Sequence, residues 1–250
     1  RQTRTVKYLK RLKEELLRKS IYRTCPVHAM AHQLGKVYKA SEPEVIYNSF
    51  PMRTGISKEL TARDHKHNSS VSLFWYSQRI GPGRGLSAIL PLLEAEADAE
   101  LHVRGDLGQN SLSDAFETKI AQDICKRIVV HKPVPKNALG RKIREHDIGC
   151  SLEDSRIANR DLTVTNKILE YLQHGIPVIC SNSKGNREVA EIMNGHVYDL
   201  EEVLRHGLGL RLLKERGRER SSDLQAQFEA KLGWSIQKNK ILEAVERAFA

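Results

Sequence analysis

The sequence lacks the features that mark several classes of protein. No apolar run approaches the length of a bilayer span, and the start is basic and polar, without the apolar core of a signal peptide. The four cysteines, Cys25, Cys125, Cys150 and Cys180, have no metal-ligand spacing, and there is no Asp-x-Asp pair. We therefore expect reduced thiols, no metal and a cytoplasmic location. Hydrophobic residues, at 40%, are still enough to fill a core.

Positive charge is concentrated in the first quarter of the chain. Residues 1–70 contain 15 Lys and Arg and 6 Asp and Glu, so 15 − 6 = +9 of the formal net charge of +10 lies there. Over 6–21 apolar residues recur at helical spacing, with Lys and Arg on the other side. Such a segment suits peripheral contact with the inner face of a membrane through 1–23, although a solvated helix face explains the same pattern. No recognition-helix pattern or aromatic-studded basic strand predicts a nucleic-acid partner.

Strand and helix patterns alternate regularly only after residue 70. We predict six strands there, separated by helical stretches: 71–77, 99–104, 127–130, 147–152, 177–181 and 196–199. This alternation predicts an α/β fold with a doubly wound, mainly parallel sheet. Before residue 50 we expect only helices over 5–19 and 27–37 and one strand over 45–47. We expect four segments in all: an incomplete domain over 1–50, a linker over 51–70, the sheet domain over 71–200 and helices over 201–250.

The stretch 159–188 contains loop, helix, tight turn, buried strand and polar loop within thirty residues. Thr163 or Thr165 is suited to the N-cap of its helix, and Gly175 ends that helix. The apolar run 177–181 is typical of a parallel strand covered on both sides. Because ligands bind at the carboxyl ends of such strands, this order predicts a ligand site.

A glycine-rich turn follows the first strand of the predicted sheet. Gly81, Gly83 and Gly85 miss the G-x-G-x-x-G spacing of a dinucleotide site, and the turn lacks the Lys and Ser or Thr of a P-loop. It carries Arg79 and Arg84 instead, and two arginines can hold a diphosphate through bidentate contacts. Ordinary solvated charge is the alternative interpretation of this pair.

Together these features resemble the carboxyl-terminal half of a group 1, family 4-like glycosyltransferase with the GT-B fold. Arg79 and Arg84-Gly85 occupy the places of the family's Arg and Lys-Gly, with Arg replacing Lys. The run EYLQHGIPV over 170–178 echoes the family's Glu-Ala-x-Ala-x-Gly-x-Pro-Val helix and strand. The resemblance implies two Rossmann-like domains facing each other across a cleft. This chain would hold the donor-binding domain and the end of the amino-terminal one.

The resemblance also implies an activity and a site. The activity is transfer of a sugar from a nucleotide-diphosphate donor to an unknown acceptor, with retention of anomeric configuration and without metal or cofactor. The implied contacts are the diphosphate on Arg79, Gly83, Arg84, Thr165 and Asn166, and the ribose on Glu170. The family's earlier glutamate, which touches the donor sugar, falls here on Leu162. Glu153 and Asp161 are candidates to replace it as the catalytic carboxylate, Glu153 first because it ends a strand.

Two other functions fit the same pattern. The turn could serve a sugar-nucleotide epimerase or another Rossmann enzyme, with Arg104 facing an NADP phosphate, or the chain could be a nucleotide-binding module without catalysis. A complete GT-B enzyme needs an acceptor domain, of which 1–50 supplies only the last elements. We therefore expect this chain to bind donor but to transfer sugar poorly on its own.

Overall fold

The structure, a computed structural model, describes residues 4–51 and 70–249. The strands of this part are β1 (Thr24–Cys25), β2 (Glu44–Val45), β3 (Val71–Arg79), β4 (Ala99–Asp106), β5 (Ile128–His131), β6 (Ile148–Ser151), β7 (Val178–Cys180) and β8 (Val197–Asp199). The helices are α1 (Arg4–Lys19), α2 (His28–Tyr38), α3 (Leu90–Ala95), α4 (Leu112–Phe116), α5 (Gln122–Cys125), α6 (Lys136–Ile143), α7 (Ala158–Asp161), α8 (Asn166–Gln173), α9 (Lys184–Ile192), α10 (Leu200–His206), α11 (Leu210–Glu219), α12 (Ser221–Lys231) and α13 (Trp234–Phe249). Almost all of the predicted linker 51–70 lies outside the described residues.

Six of these strands form one parallel sheet in the order β5-β4-β3-β6-β7-β8. The chain enters at the centre with β3, moves outward to β5 and then returns to place β6 on the other side of β3. The predicted α/β fold with a doubly wound parallel sheet is therefore confirmed, and every predicted strand of the sheet is present. The strand order reverses between β3 and β6, and open sheets of this kind bind ligands outside the carboxyl ends of the strands at that point.

Helices cover both faces of the sheet, so each face has its own apolar core. Trp75 on β3 belongs to one core and its neighbour Phe74 to the other, because successive side chains of a strand point to opposite faces. The carboxyl-terminal helices close both: Leu213 on α11 packs into the first core and Phe228 on α12 into the second. Residues 201–249 are thus part of the same fold as the sheet, since their removal would expose apolar surface on both faces.

The amino-terminal segment contains a small sheet of its own. β1 and β2 pair in parallel next to α2. The predicted helices over 5–19 and 27–37 are confirmed as α1 and α2, whereas the strand expected over 45–47 is Glu44–Val45 and β1 was not predicted. Two-residue strands are too short to show an alternating pattern, which is why the sequence did not indicate β1.

A carboxylate of the sheet domain holds this segment in place. Glu188 on α9 accepts hydrogen bonds from the backbone N–H of His28 at 3.0 and 2.9 Å, from His28 Nδ1 at 2.7 Å and from the Tyr47 hydroxyl. Burial by itself raises the pKa of Glu188, but these hydrogen bonds lower it below its ordinary value. A negative charge at the start of α2 also interacts favourably with the helix dipole.

The cysteines match the prediction of packed, reduced thiols. All four are free, and Cys150 and Cys180 are buried in β6 and β7. Burial raises the pKa of each of these two thiols to about 12, so both are inert at neutral pH. No helix in the described part of the chain is long and apolar enough to cross a membrane.

Candidate functional site

The loops that follow β3 and β6 meet at the point where the strand order reverses. The turn after β3 contains Gly83 and Gly85, whose φ angles of 70° and 72° favour glycine. A Cβ on Gly85 would lie 3.2 Å from the backbone N and C of Glu153, so the turn packs directly on the loop after β6. This contact brings the two segments that the sequence analysis singled out into one site.

A group of positive side chains surrounds Glu153 in this site. The carboxylate is 12% exposed, and it lies 3.4 Å from Lys167 Nζ and 3.6 Å from an Nη of Arg160. Burial lowers the pKa of Lys167; Glu153 raises it, and the positive charges of Arg84 and Arg160 lower it further. Two cations thus share one carboxylate, with the positive charge of Arg84 nearby, and this excess of positive charge favours an anionic ligand.

Arg160 shows that this group is incompletely paired without a ligand. Its Nη1 atom, the one that lies 3.6 Å from Glu153 Oε2, is buried and makes no hydrogen bond among the described residues. A buried guanidinium donor that has only a long ion pair costs free energy, which a hydrogen bond to a phosphate oxygen would recover. Lys167 also lies over the ring of Trp75, 5.5 Å from its centroid, so this ammonium group is held between an aromatic face and Glu153.

The start of α8 forms the other wall of the site. Thr165 occupies the N-cap position predicted for it or for Thr163, but its hydroxyl makes no capping bond and pairs with Ser151 Oγ at 2.8 Å instead. The Thr163 hydroxyl donates to the carbonyl oxygen of Asn159 at 2.6 Å. Because no side chain caps α8, its first backbone N–H groups are left to bind an anion. Asn166 is exposed there, and its side-chain oxygen accepts a hydrogen bond from Asn48 at 2.8 Å.

Two of the predicted diphosphate contacts, Arg79 and Gly83, are not part of this positive group. Arg79 is exposed at the end of β3, and no contact with Glu153 or Lys167 is found for it among the described residues. The backbone N–H of Gly83 is not free, because it donates to Glu117 Oε2 at 2.7 Å. Of the two arginines in the turn, the structure therefore places only Arg84 in the positive group.

Glu170, the predicted ribose contact, is buried and ion-paired with Lys136 at the start of α6. Lys136 also lies over the Phe50 ring, 4.3 Å from its centroid. Burial raises the pKa of Tyr76 well above its ordinary value, and the nearby negative charge of Glu170 raises it further. The carboxylate therefore has a competing partner, and a ribose could reach it only if the largely exposed Lys136 side chain moved aside.

The remaining candidates have structural partners. Asp161 accepts from the backbone N–H of Lys184 at 3.1 Å and pairs with its Nζ at 3.0 Å, at the start of α9. Arg104, proposed to face an NADP phosphate, is buried and donates to the carbonyl oxygen of Lys132 at 2.7 Å. The guanidinium thus supports the loop after β5, and a contact of Arg104 with an NADP phosphate stays a prediction. Among the described residues, no group of His, Cys, Asp and Glu is arranged to hold a metal ion.

Arg160 was not predicted from the sequence as a site residue, and no role in the site was predicted for Lys167. A signal for Lys167 existed, because a cation in the first turn of a helix opposes the helix dipole and is unusual unless something nearby compensates for it. Nothing in the local pattern around Arg160 distinguishes it from a solvated loop arginine.

No family model and no curated protein sequence matches this chain. Solved structures do match its fold. TarM of S. aureus, in a structure with UDP, fondaparinux and α-GlcNAc-glycerol, is 12% identical with a TM-score of 0.65, and the match covers 97% of this chain and 46% of TarM. HepE of Anabaena, in complex with UDP-glucose, is 14% identical with a TM-score of 0.66 and coverages of 95% and 67%. Sucrose-phosphate synthase of Thermosynechococcus elongatus is 13% identical, with a TM-score of 0.64 and coverages of 97% and 62%.

These structure neighbours are glycosyltransferases with the GT-B fold, and this chain shares the fold of the part of them that it covers. The chain spans between about half and two thirds of their length. The fold expected from the resemblance is therefore confirmed. At identities of 12–14% the likeness to these structures shows the fold alone, and it does not assign roles to the site residues.

Proposed function

We propose that this chain is the donor-binding half of a glycosyltransferase that uses a nucleotide-diphosphate sugar. The observation that carries the proposal is the positive group of Arg84, Arg160 and Lys167 at the point where the strand order reverses. HepE, one of the neighbours, was solved with UDP-glucose, which supports a uridine donor as the first to be tested. The acceptor is left open, and retention of configuration, the cytoplasmic location and the absence of metal and cofactor stay predictions.

The positive group would act on the leaving nucleoside diphosphate. When the glycosidic bond breaks, negative charge develops on the β-phosphate oxygen, and preorganised cations stabilise it without reorganising. Lys167 and Arg160 are held in advance by Glu153, and Arg84 is held by the turn that packs on the same residue. The uncapped N–H groups of Asn166 and its neighbours at the start of α8 would bind the second phosphate.

Glu153 would contact the donor sugar. Its carboxylate is fixed by two cations at the end of β6, next to the anticipated diphosphate, which is the location expected of a group that touches the anomeric centre. Glu170 would bind the ribose hydroxyls once Lys136 is displaced, since a carboxylate accepts two hydrogen bonds at once. The NADP enzyme that Arg104 suggested is disfavoured because this residue is engaged with Lys132.

Calorimetric titration tests the placement of the diphosphate. UDP should bind the chain, and NADPH should not. Arg84→Ala and Lys167→Met should each weaken UDP binding by about 10- to 150-fold, because a hydrogen bond to a charged group contributes about 1.5–3 kcal/mol. The matched control is Arg211→Ala, which removes an exposed arginine. Its partner Asp98 directly precedes β4, so this pair lies at the amino ends of the strands, away from the candidate site at their carboxyl ends. Unchanged affinity in both site variants would refute the placement.

Glu170→Gln tests the ribose contact separately. It should weaken UDP but leave inorganic diphosphate binding unchanged, because only the nucleotide carries the ribose. If a nucleotide sugar binds but is not turned over even when an acceptor domain is added, the non-catalytic module is favoured.

A further inference from the structure

Helix α1 leaves an apolar face without a partner among the described residues. No residue of this helix is buried. Four large side chains of the face are exposed: Tyr8 65%, Leu9 46%, Leu12 39% and Leu16 57%. A helix with so much exposed apolar surface is stabilised only if something covers that surface.

The charges on α1 indicate what covers it. Its sequence, RTVKYLKRLKEELLRK, contains seven Lys and Arg and two Glu, a net charge of 7 − 2 = +5. At 3.6 residues per turn Tyr8, Leu9, Leu12 and Leu16 share one half of the helix, and most of the cations lie on the other half. Such a helix combines apolar area with a basic face that complements negative charge.

Lys13 discriminates between a protein and a lipid partner. On the helical wheel it lies inside the apolar half, between Leu9 and Val6. A protein domain packed on this half would bury the ammonium group, at a cost of several kcal/mol unless it were paired. In a lipid interface the same side chain buries its methylene stem and extends its charge to the head groups.

We propose that α1 lies in the surface of an anionic membrane, with Tyr8, Leu9, Leu12 and Leu16 inserted at the boundary between head groups and acyl chains. Its cations contact the acidic head groups on either side. Ile21, which is 75% exposed just beyond the helix, extends the apolar area. This inference does not depend on the proposed enzymatic function, because no residue of the candidate donor site lies on α1.

Vesicle flotation with the full chain tests the proposal. The chain should float with phosphatidylcholine vesicles that contain about 30% phosphatidylglycerol, which gives them an anionic surface. It should not float with vesicles of pure phosphatidylcholine. Leu9→Asp and Leu16→Asp should each reduce binding at least tenfold, because they place a carboxylate in the inserted face. Lys13→Ala should reduce it about fivefold, the equivalent of about 1 kcal/mol for one basic residue near the surface.

The matched control is Leu242→Asp, which changes an equally exposed leucine on α13, 49% exposed, and should leave flotation unchanged. Circular dichroism checks that the variants fold, which is expected because both sites are exposed. Equal binding to neutral vesicles, no binding to anionic ones, or full binding by Leu9→Asp and Leu16→Asp would each overturn the proposal. So would a stable dimer in light scattering that Leu9→Asp dissolves, because the face would then pack on a second copy.

Discussion

Lowering the pH from 7 to 5 should destabilise the protein, because the buried His146 and the half-buried His174 must stay neutral in the fold. His146 stacks on the Phe74 ring at 4.3 Å and pairs with Ser72 Oγ at 2.6 Å. Burial, with the nearby charges of His102, His131, Arg104 and Lys142, lowers its pKa from 6.5 to about 2. Burial likewise lowers the pKa of His174 from 6.5 to about 4, and its Nδ1 donates to the Glu170 carbonyl oxygen at 2.8 Å.

The direction and size of this pH effect on stability follow from these pKa values. Both folded pKa values lie below the unfolded one, so the unfolded chain binds more protons as the pH falls, and stability is lost below pH 6.5. The loss continues to about pH 4 for His174 and about pH 2 for His146. Between pH 7 and 5 each group should reduce the free energy of unfolding by about 2 kcal/mol. His102 and His131 act in the same direction, because their pKa values are also lowered, first by burial.

The assay is urea unfolding followed by circular dichroism at several pH values between 5 and 8. His146→Gln should lower the free energy of unfolding at pH 7, because the substitution removes the stacked ring. It should also reduce the difference in the free energy of unfolding between pH 7 and pH 5 by about 2 kcal/mol. His206→Gln is the control, since this side chain is exposed at the end of α10, and the pH dependence should not change. A free energy of unfolding that is equal at pH 7 and pH 5 in the unmodified chain would refute the reasoning.

Three further outcomes are expected. Gly149→Ala should destabilise the chain by about 1–3 kcal/mol in urea unfolding, because its Cβ would lie 2.3 Å from Tyr171 Cγ; Gly209→Ala, which meets nothing within 4 Å, should have little effect, and equal stability of the two would contradict this. Tyr47→Phe should cost about 1.5 kcal/mol by removing a hydrogen bond to Glu188, and no loss would mean that this contact does not hold the amino-terminal segment. The chain alone should bind a nucleotide sugar with little release of nucleoside diphosphate, and an added acceptor domain should restore transfer. Acceptor-dependent turnover by the 250-residue chain alone would contradict that expectation.

Local patterns in the sequence predicted most of the fold. Strand runs and helical periods alternate after residue 70, and this order alone implies a doubly wound parallel sheet, as found. The helix over 166–173 ends where Gly175, with a φ of 74°, makes the turn that the sequence indicated. These features depend on residues that are close together in the sequence, so they can be predicted without knowledge of the tertiary contacts. The short strand β1 was the exception, because two residues carry no period.

The charge pattern of the candidate site was decided by tertiary structure. Glu153, Arg160 and Lys167 come together because the loop after β6 folds back over the start of α8, and the turn that carries Arg84 joins them only because β6 lies beside β3. Pairing of Glu170 with Lys136 likewise depends on where α6 sits, 34 residues away in the chain. The sequence does not distinguish a solvated charged side chain from a buried one. The energy of the charge depends on its neighbours in space, and the order of the strands determines those neighbours.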